Sequence, residues 1–164
     1  MILRDLPADL PAAVCVVLHM PAHGRTVLPD ILRRTTRRDV SFAEDEEPLR
    51  RGAIRIAVPD RHLIIRDGRI GVVLAPRENR CRPAVDPLFR TAARAFGPRA
   101  ISVVLSGAID DGAAGSTAVR LRGGTTIAQE PGDAIFPDLP ANAIATGEIE
   151  HVIPAENGLA PTDP

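Results

Sequence analysis

The stretch Ala100–Gly115 constrains the fold most, because an apolar strand runs directly into a loop and then into a helix. Ile101–Leu105 is apolar and rich in β-branched residues, and it stops at Ser106. An acidic turn with Asp110 and Asp111 follows, and the small residues after it favour the start of a helix. This order is typical of the βα unit of a parallel α/β sheet, in which loops at the carboxyl ends of the strands form the ligand crevice.

The other segments continue this alternation, with one antiparallel interruption. The run from Ala53 to Leu74 has the short-strand spacing of a β-meander, and its Asp67-Gly68 pair is a strong hairpin signal. We therefore expect an α/β fold with a doubly wound, mostly parallel sheet and an inserted antiparallel hairpin. The predicted strands are Ala12–Leu18, Val40–Ala43, Ala53–Val58, Leu63–Arg66, Arg69–Leu74, Ala100–Leu105, Thr125–Gln129 and Glu150–Ile153, and the predicted helices are Thr26–Arg34, Pro83–Phe96, Ala113–Arg122 and Ala141–Ala145.

Length and composition exclude several classes of protein. A chain of 164 residues is most simply one domain, and we expect it to comprise residues 1–157, followed by a loose tail at 158–164. The net charge of −1 and the absence of Trp and Tyr argue against a nucleic-acid partner. No apolar run approaches the ~20 residues of a membrane helix, so no membrane insertion is expected. Two cysteines without CxxC spacing, and no signal peptide, predict a cytoplasmic protein.

His19 and Asp111 are the first candidates for chemistry, because each follows an apolar strand that should be parallel and buried. If the two strands are neighbours, their loops meet at one edge of the sheet. A carboxylate bonded to an imidazole fixes the tautomer and stabilises the imidazolium, as a general base requires. The alternative is a loop histidine and a helix-capping aspartate that serve only local structure. Asp110 is the competing carboxylate, since either aspartate could cap the helix after Gly112.

Metal and cofactor sites are not expected. His19 and His23 are four residues apart, but Pro21 opposes the helix that would bring their rings together. The acidic run Glu44–Glu47 is more simply a solvated turn, and the glycines near Asp111 match no phosphate-binding motif. The arginines at 33, 34, 37 and 38 suit a helix end, with a docking face for an acidic partner as the alternative.

The two cysteines are expected to differ. Cys15 lies within a predicted strand and should be inert. Cys81 lies between two arginines in the Asn-Arg-Cys-Arg loop, and those cations would favour its thiolate.

Taken together, several segments resemble the catalytic domain of the chemotaxis protein-glutamate methylesterase (CheB) family, in order and in spacing over nearly the whole chain. The segments are VVLHMP at Val16–Pro21, AEDEEPLRRGAIRIAVPDRHLIIRDG at Ala43–Gly68, ENRCRPAVDPLFRTAARAFG at Glu78–Gly97, VVLSGAIDDGAAG at Val103–Gly115, GGTTIAQEP at Gly123–Pro131 and FPDLPANAI at Phe136–Ile144.

The resemblance implies a doubly wound α/β domain that hydrolyses methyl esters on glutamate side chains of chemoreceptors. Related members of the family also deamidate receptor glutamines. The family uses a Ser–His–Asp arrangement, whose histidine falls on His19 and whose aspartate falls on Asp111. Methylated cytoplasmic helices of chemoreceptors are therefore the expected partners, and no cofactor is implied.

The chain departs from the family pattern in several places. The family's nucleophilic serine lies on a Gly-rich loop after a strand that precedes the histidine strand, and no serine occurs before His19 here. We therefore expect the family's first strand and nucleophile loop to be missing, along with the receiver domain that precedes the esterase part. Gly107-Ala108-Ile109 replaces the usual GMG, which affects a loop thought to help hold the oxyanion, and Cys81 replaces a common histidine.

Three functions remain open at this point. The chain is a methylesterase by descent whose sequence is short at the front, or it is an inactive module that binds or regulates receptors. In the third, Ser106 is a substitute nucleophile, which requires its Oγ to lie within about 3 Å of a His19 nitrogen.

Overall fold

The computed structural model describes residues 2–7, 9–22, 26–36 and 38–155. Its helices are α1 (Ile2–Asp5), α2 (Leu28–Thr36), α3 (Val85–Phe96), α4 (Ala113–Leu121) and α5 (Asp138–Ala145). Its strands are β1 (Val14–Val16), β2 (Val40–Phe42), β3 (Ile54–Ile56), β4 (His62–Arg66), β5 (Arg69–Val73), β6 (Ile101–Val104), β7 (Thr125–Gln129) and β8 (His151–Ile153). Within the described ranges, no helix has both the length and the apolar character needed to cross a bilayer. The predicted tail at 158–164 lies outside the described residues.

The strands form two parallel sheets and one antiparallel hairpin. The first sheet has the order β1-β3-β2, the second has the order β6-β7-β8, and β4 pairs with β5. Apart from the consecutive strands β2 to β5, strands alternate with helices as the sequence predicts, so the mostly parallel α/β fold with an inserted hairpin is confirmed. The parallel strands form two separate sheets. Among the described strands, β1 pairs only with β3 and β6 pairs only with β7, so no ladder joins the two sheets.

One strand prediction is wrong in its pairing. Ala53–Val58 is not the first strand of a meander: the observed β3 lies between β1 and β2 and is parallel to both. Ile54 and Ile56 are completely buried, as expected for a central parallel strand. Short strands separated by Pro-Asp and Asp-Gly turns resemble a meander in sequence, and burial on both faces is what distinguishes β3 from its neighbours.

The predicted hairpin turn is correct. Asp67 and Gly68 both adopt positive φ angles, 50° and 74°, as a type I′ turn requires. The turn sets the register of the hairpin, in which Ile65 pairs with Ile70. Leu63, Ile65 and Ile70 then pack with Leu88 of α3 into one buried cluster.

Strand β6 is buried on one face only. Ser102 and Val104 are buried, whereas Ile101 is 64% exposed and Val103 42% exposed, and Leu105 just after the strand is 39% exposed. Because alternate residues of a strand point to opposite faces, these three side chains form one exposed apolar row. The sequence predicted a fully buried strand here, and that prediction is wrong for this face. No described element of the chain covers the row.

Candidate catalytic site

His19 and Asp111 meet although their strands are not neighbours. The Nε2 atom of His19 and the Oδ2 atom of Asp111 are 2.7 Å apart. An ionised carboxylate only accepts hydrogen bonds, so Nε2 carries the proton and donates it. In the neutral imidazole, Nδ1 is then the unprotonated nitrogen that can take up a proton. The expected pairing at the strand ends is therefore present, without a ladder between β1 and β6.

Asp111 is buried and surrounded by donors. Its Oδ2 also accepts a hydrogen bond from the Val85 amide at 2.6 Å, and its Oδ1 accepts from the Asp86 amide at 3.0 Å. Asn79 donates its side-chain amide to Oδ1 at 2.9 Å. Burial by itself raises the pKa of Asp111, but the bonds from His19, the two amides and Asn79 outweigh it. The pKa of Asp111 therefore lies below its ordinary value, and the carboxylate is charged at neutral pH.

The two amides that bind Asp111 belong to the first turn of α3. The residue before this helix, Ala84, has no capping side chain, so Asp111 supplies the missing acceptor from another part of the chain. The positive end of the helix dipole also stabilises the carboxylate. The alternative in which Asp110 or Asp111 caps the helix that follows them is wrong, since α4 begins after Gly112 without a side-chain cap.

Asn79 and Asp86 are members of the site that sequence analysis missed. The side-chain amide of Asn79 donates to Asp86 at 2.9 Å as well as to Asp111, so it joins two carboxylates. Asp86 in turn accepts the amide of Gly115 at 2.7 Å in the first turn of α4. A Cβ at Gly115 would lie 2.6 Å from the Cβ of Phe89, so this close approach of α3 and α4 requires glycine. No motif in the sequence marks Asn79, because its partners lie in distant segments.

None of the four serines is hydrogen-bonded to His19. The hydroxyl of Ser106 accepts the Phe136 amide at 2.9 Å, so the contact that a substitute nucleophile requires is absent in the described structure. Ser41 donates to the Phe42 carbonyl. Ser102 and Ser116 are completely buried, and their hydroxyls have no partner among the described residues.

The loop proposed to hold an oxyanion has one amide already engaged. Gly107 donates its amide to the Phe136 carbonyl at 2.9 Å, and its own carbonyl accepts the Leu139 amide. Ala108 is exposed in the same loop. Ile109 is not among the residues with positive φ, and it packs against the cluster around Val104. In this structure the loop therefore serves to attach α5 to the end of β6.

The prediction that arginines favour the Cys81 thiolate is wrong. Burial and the charge of Asp111 raise the pKa of Cys81, and the lowering effects of Arg77 and Arg80 are smaller. Burial, together with the charge of Glu47, raises the pKa of Cys15 to about 12, which agrees with the expected inert thiol. His23, the second histidine of the rejected metal pair, lies outside the described residues.

A cavity of about 240 Å³ opens beside His19. One wall is the segment His19–Ala22, and the other is formed by Arg77 and residues 80–83. The side chain of His19 is 26% exposed, so the imidazole is accessible whereas its carboxylate partner is not. The arrangement offers an accessible base, an inaccessible acid that orients it, and a cavity where a substrate group can bind.

Comparison with known proteins gives a consistent result. The family model for CheB methylesterase matches residues 1–159. Proteins named protein-glutamate methylesterase/protein-glutamine glutaminase from Anaeromyxobacter dehalogenans and Nocardioides sp. are 36% and 38% identical over 94% and 93% of this chain. The crystal structure of the Thermotoga maritima CheB methylesterase catalytic domain superposes with a TM-score of 0.87 at 32% identity, covering 93% of this chain and 82% of that one. The chain spans 46% and 43% of the length of the two curated relatives.

Proposed function

Because the chain belongs to the CheB methylesterase family, we propose that it carries the base and the orienting acid of a protein-glutamate methylesterase. His19 is the general base, and Asp111 holds its ring and stabilises the imidazolium that forms. The observation that carries this proposal is the 2.7 Å contact between His19 Nε2 and Asp111 Oδ2, with Asp111 charged and inaccessible. The substrate is a glutamyl methyl ester of a chemoreceptor, or the corresponding glutamine amide.

The chemistry divides into two steps. A hydroxyl oxygen attacks the ester carbonyl while His19 Nδ1 takes its proton, and the imidazolium then protonates the departing methoxide to release methanol. Water repeats the sequence on the acyl intermediate, with His19 again taking and returning a proton. The products are the glutamate carboxylate, methanol and the regenerated hydroxyl. For a glutamine amide the leaving group is ammonia.

The attacking hydroxyl comes from a strand that is not among the described residues and that fits between β1 and β6. Among the described strands, β1 and β6 each have one unpaired edge, and an inserted strand would separate them by roughly 9.5 Å, twice the usual spacing. The His19 and Asp111 side chains are long enough to meet across such a gap. The exposed row of Ile101, Val103 and Leu105 would be covered by the segment that follows such a strand.

The test compares methanol release from a methyl-esterified receptor by this chain and by a version extended at its front with the corresponding strand and loop of a relative. We expect release from the extended chain only, with His19→Ala lowering it by at least about 10³-fold. Ser106→Ala is the matched control and should change the rate less than twofold.

Release by the short chain that depends on Ser106 would contradict the proposed source of the hydroxyl. An extended chain that binds receptor without releasing methanol would instead support the inactive binding module.

A further inference from the structure

We propose that the cavity beside His19 is a carboxylate-binding subsite in which Arg77 and Arg80 hold an acidic side chain of the polypeptide substrate. This inference rests on the proposed function, because it takes the ligand to be the polypeptide whose ester lies at His19.

The charge of the cavity comes from two arginines. Three arginines line it, at positions 77, 80 and 82. Arg82 is neutralised by Asp60 at 2.7 Å and also donates to the Ala75 carbonyl. Arg77 and Arg80 have no carboxylate within 4.0 Å in the part of the chain that the structure describes. Two arginines without a carboxylate at ion-pair distance among the described residues therefore line the cavity next to the imidazole, and Arg77 acts on Asp60 only at longer range.

The backbone at Arg80 is in a conformation that a long side chain rarely adopts. Glu78 and Cys81 exchange backbone hydrogen bonds, and the two residues between them, Asn79 and Arg80, have φ angles of 49° and 65°. Such a turn favours Asn at its first central position and Gly at its second. An arginine at the second position is strained, and retained strain of this kind is common at binding sites. The turn therefore keeps an arginine at a position where glycine would be unstrained.

The turn is also fixed relative to the catalytic pair. Asn79 is bonded to Asp111, and Arg77 donates to the Arg80 carbonyl at 3.4 Å. Glu78 is paired with Arg90 of α3 at 2.6 Å. Arg80 is thereby one residue away from a side chain that touches the acid of the pair. A carboxylate held by these arginines would lie at a defined position relative to His19, which is how a subsite positions the neighbouring group for reaction.

The experiment measures binding, which does not require hydrolysis. The probe is a fluorescent helical peptide of about 20 residues, with a central glutamine flanked by glutamates, and a second peptide has glutamines in place of those glutamates. The double variant R77Q/R80Q should bind the acidic peptide roughly tenfold more weakly than the wild type does. The double variant should bind the acidic peptide and the glutamine peptide with equal affinity. R94Q/R122Q, which removes two exposed arginines outside the cavity, is the matched control and should bind like the wild type.

Equal binding of the two peptides by the wild type, or an equal loss in both double variants, would overturn the subsite. Displacement of the acidic peptide by inorganic phosphate at the peptide's own concentration would also overturn it, since the site would then be a general anion site. If the binding pattern is found but the extended chain releases no methanol, the proposed function fails and the subsite stands. If the extended chain releases methanol but the binding pattern is not found, the subsite is wrong and the proposed function stands.

A second variant tests the strain directly. Arg80→Gly relaxes the left-handed backbone, so we expect the melting temperature to rise by about 2–4 °C while binding of the acidic peptide weakens. A lower melting temperature with unchanged binding would contradict the argument from strain.

Discussion

The loops that follow β1 and β6 are connected by a side-chain hydrogen bond, whereas the two strands do not pair with each other. His19 and Asp111 are 2.7 Å apart, yet β1 pairs only with β3 and β6 pairs only with β7 among the described strands. The geometry of the pair therefore does not depend on a ladder between these strands. It depends on the first amides of α3 and on Asn79, which bind both oxygens of Asp111 and hold its side chain in place.

The acid of the catalytic pair is fully hydrogen-bonded, whereas the sheet beside it has an exposed apolar face. All four acceptor positions of the Asp111 carboxylate are used by His19, Val85, Asp86 and Asn79, so the described residues alone hold the acid in place. The apolar side chains of β6 are only partly buried, since Ile101 and Val103 are exposed. The loops therefore hold an acid–base pair that is already organised, and among the described strands β1 and β6 each keep one free edge, which is where the proposed function places the strand that carries the hydroxyl.

The largest effect is expected from Asp111→Asn in the extended enzyme. The amide would leave His19 without its anionic partner and in the wrong tautomer, which should lower methanol release by on the order of 10⁴-fold. Asp110→Asn is the matched control, because Asp110 is the adjacent, exposed carboxylate and should change the rate less than twofold. A larger effect at Asp110 would reverse the assignment of the acid.

A smaller effect should separate the two faces of β6. Val104 is 2% exposed and packs against Leu139, so Val104→Ala should lower the free energy of unfolding by about 2 kcal/mol. Val103→Ala removes the same atoms from the exposed row and should cost less than about 0.5 kcal/mol. Urea unfolding of this chain measures both. Equal losses would mean that the row is already covered in solution, for example by a second copy of the chain.

The smallest effect concerns acid stability. The pKa of Asp111 is lower in the folded chain than in the unfolded chain, so its charge stabilises the fold at neutral pH. This contribution is present above the unfolded pKa of about 3.9 and is lost as the pH falls through the folded value. The difference in unfolding free energy between the wild type and Asp111→Asn should therefore shrink on acidification. Urea unfolding at neutral pH and at a pH below the unfolded pKa of Asp111 measures it. A difference that stays constant would mean that the loop network does not depend on the charge.

Much of the fold and part of the site could be predicted from the sequence. The Asp-Gly turn, the apolar periodicity of α3 and the polar residues after apolar strands are local signals, and they placed the hairpin, this helix and the His19–Asp111 pair correctly. The pairing of β3 could not be predicted in this way, because strand partners depend on which faces are buried. The same limit applies to the open edge of β6.

The supporting residues were beyond sequence reasoning for a different reason. Asn79 acts through two carboxylates that lie 7 and 32 residues away in the chain. The environment of Cys81 was misjudged because its neighbours in sequence are arginines, while burial and the charge of Asp111 decide its pKa. Charges that are distant in sequence can outweigh adjacent ones once the chain is folded.

The reactivity of the Cys15 thiol reports how often β1 separates from β3 in the first sheet. Burial raises the pKa of Cys15 to about 12, so the thiol is protonated at neutral pH and an alkylating reagent reacts with it slowly while β1 is paired with β3. Each transient separation of β1 from β3 would release that thiol to its ordinary reactivity. The rate of alkylation at Cys15 therefore counts these separations, and it would slow once a neighbouring strand closed the open edge.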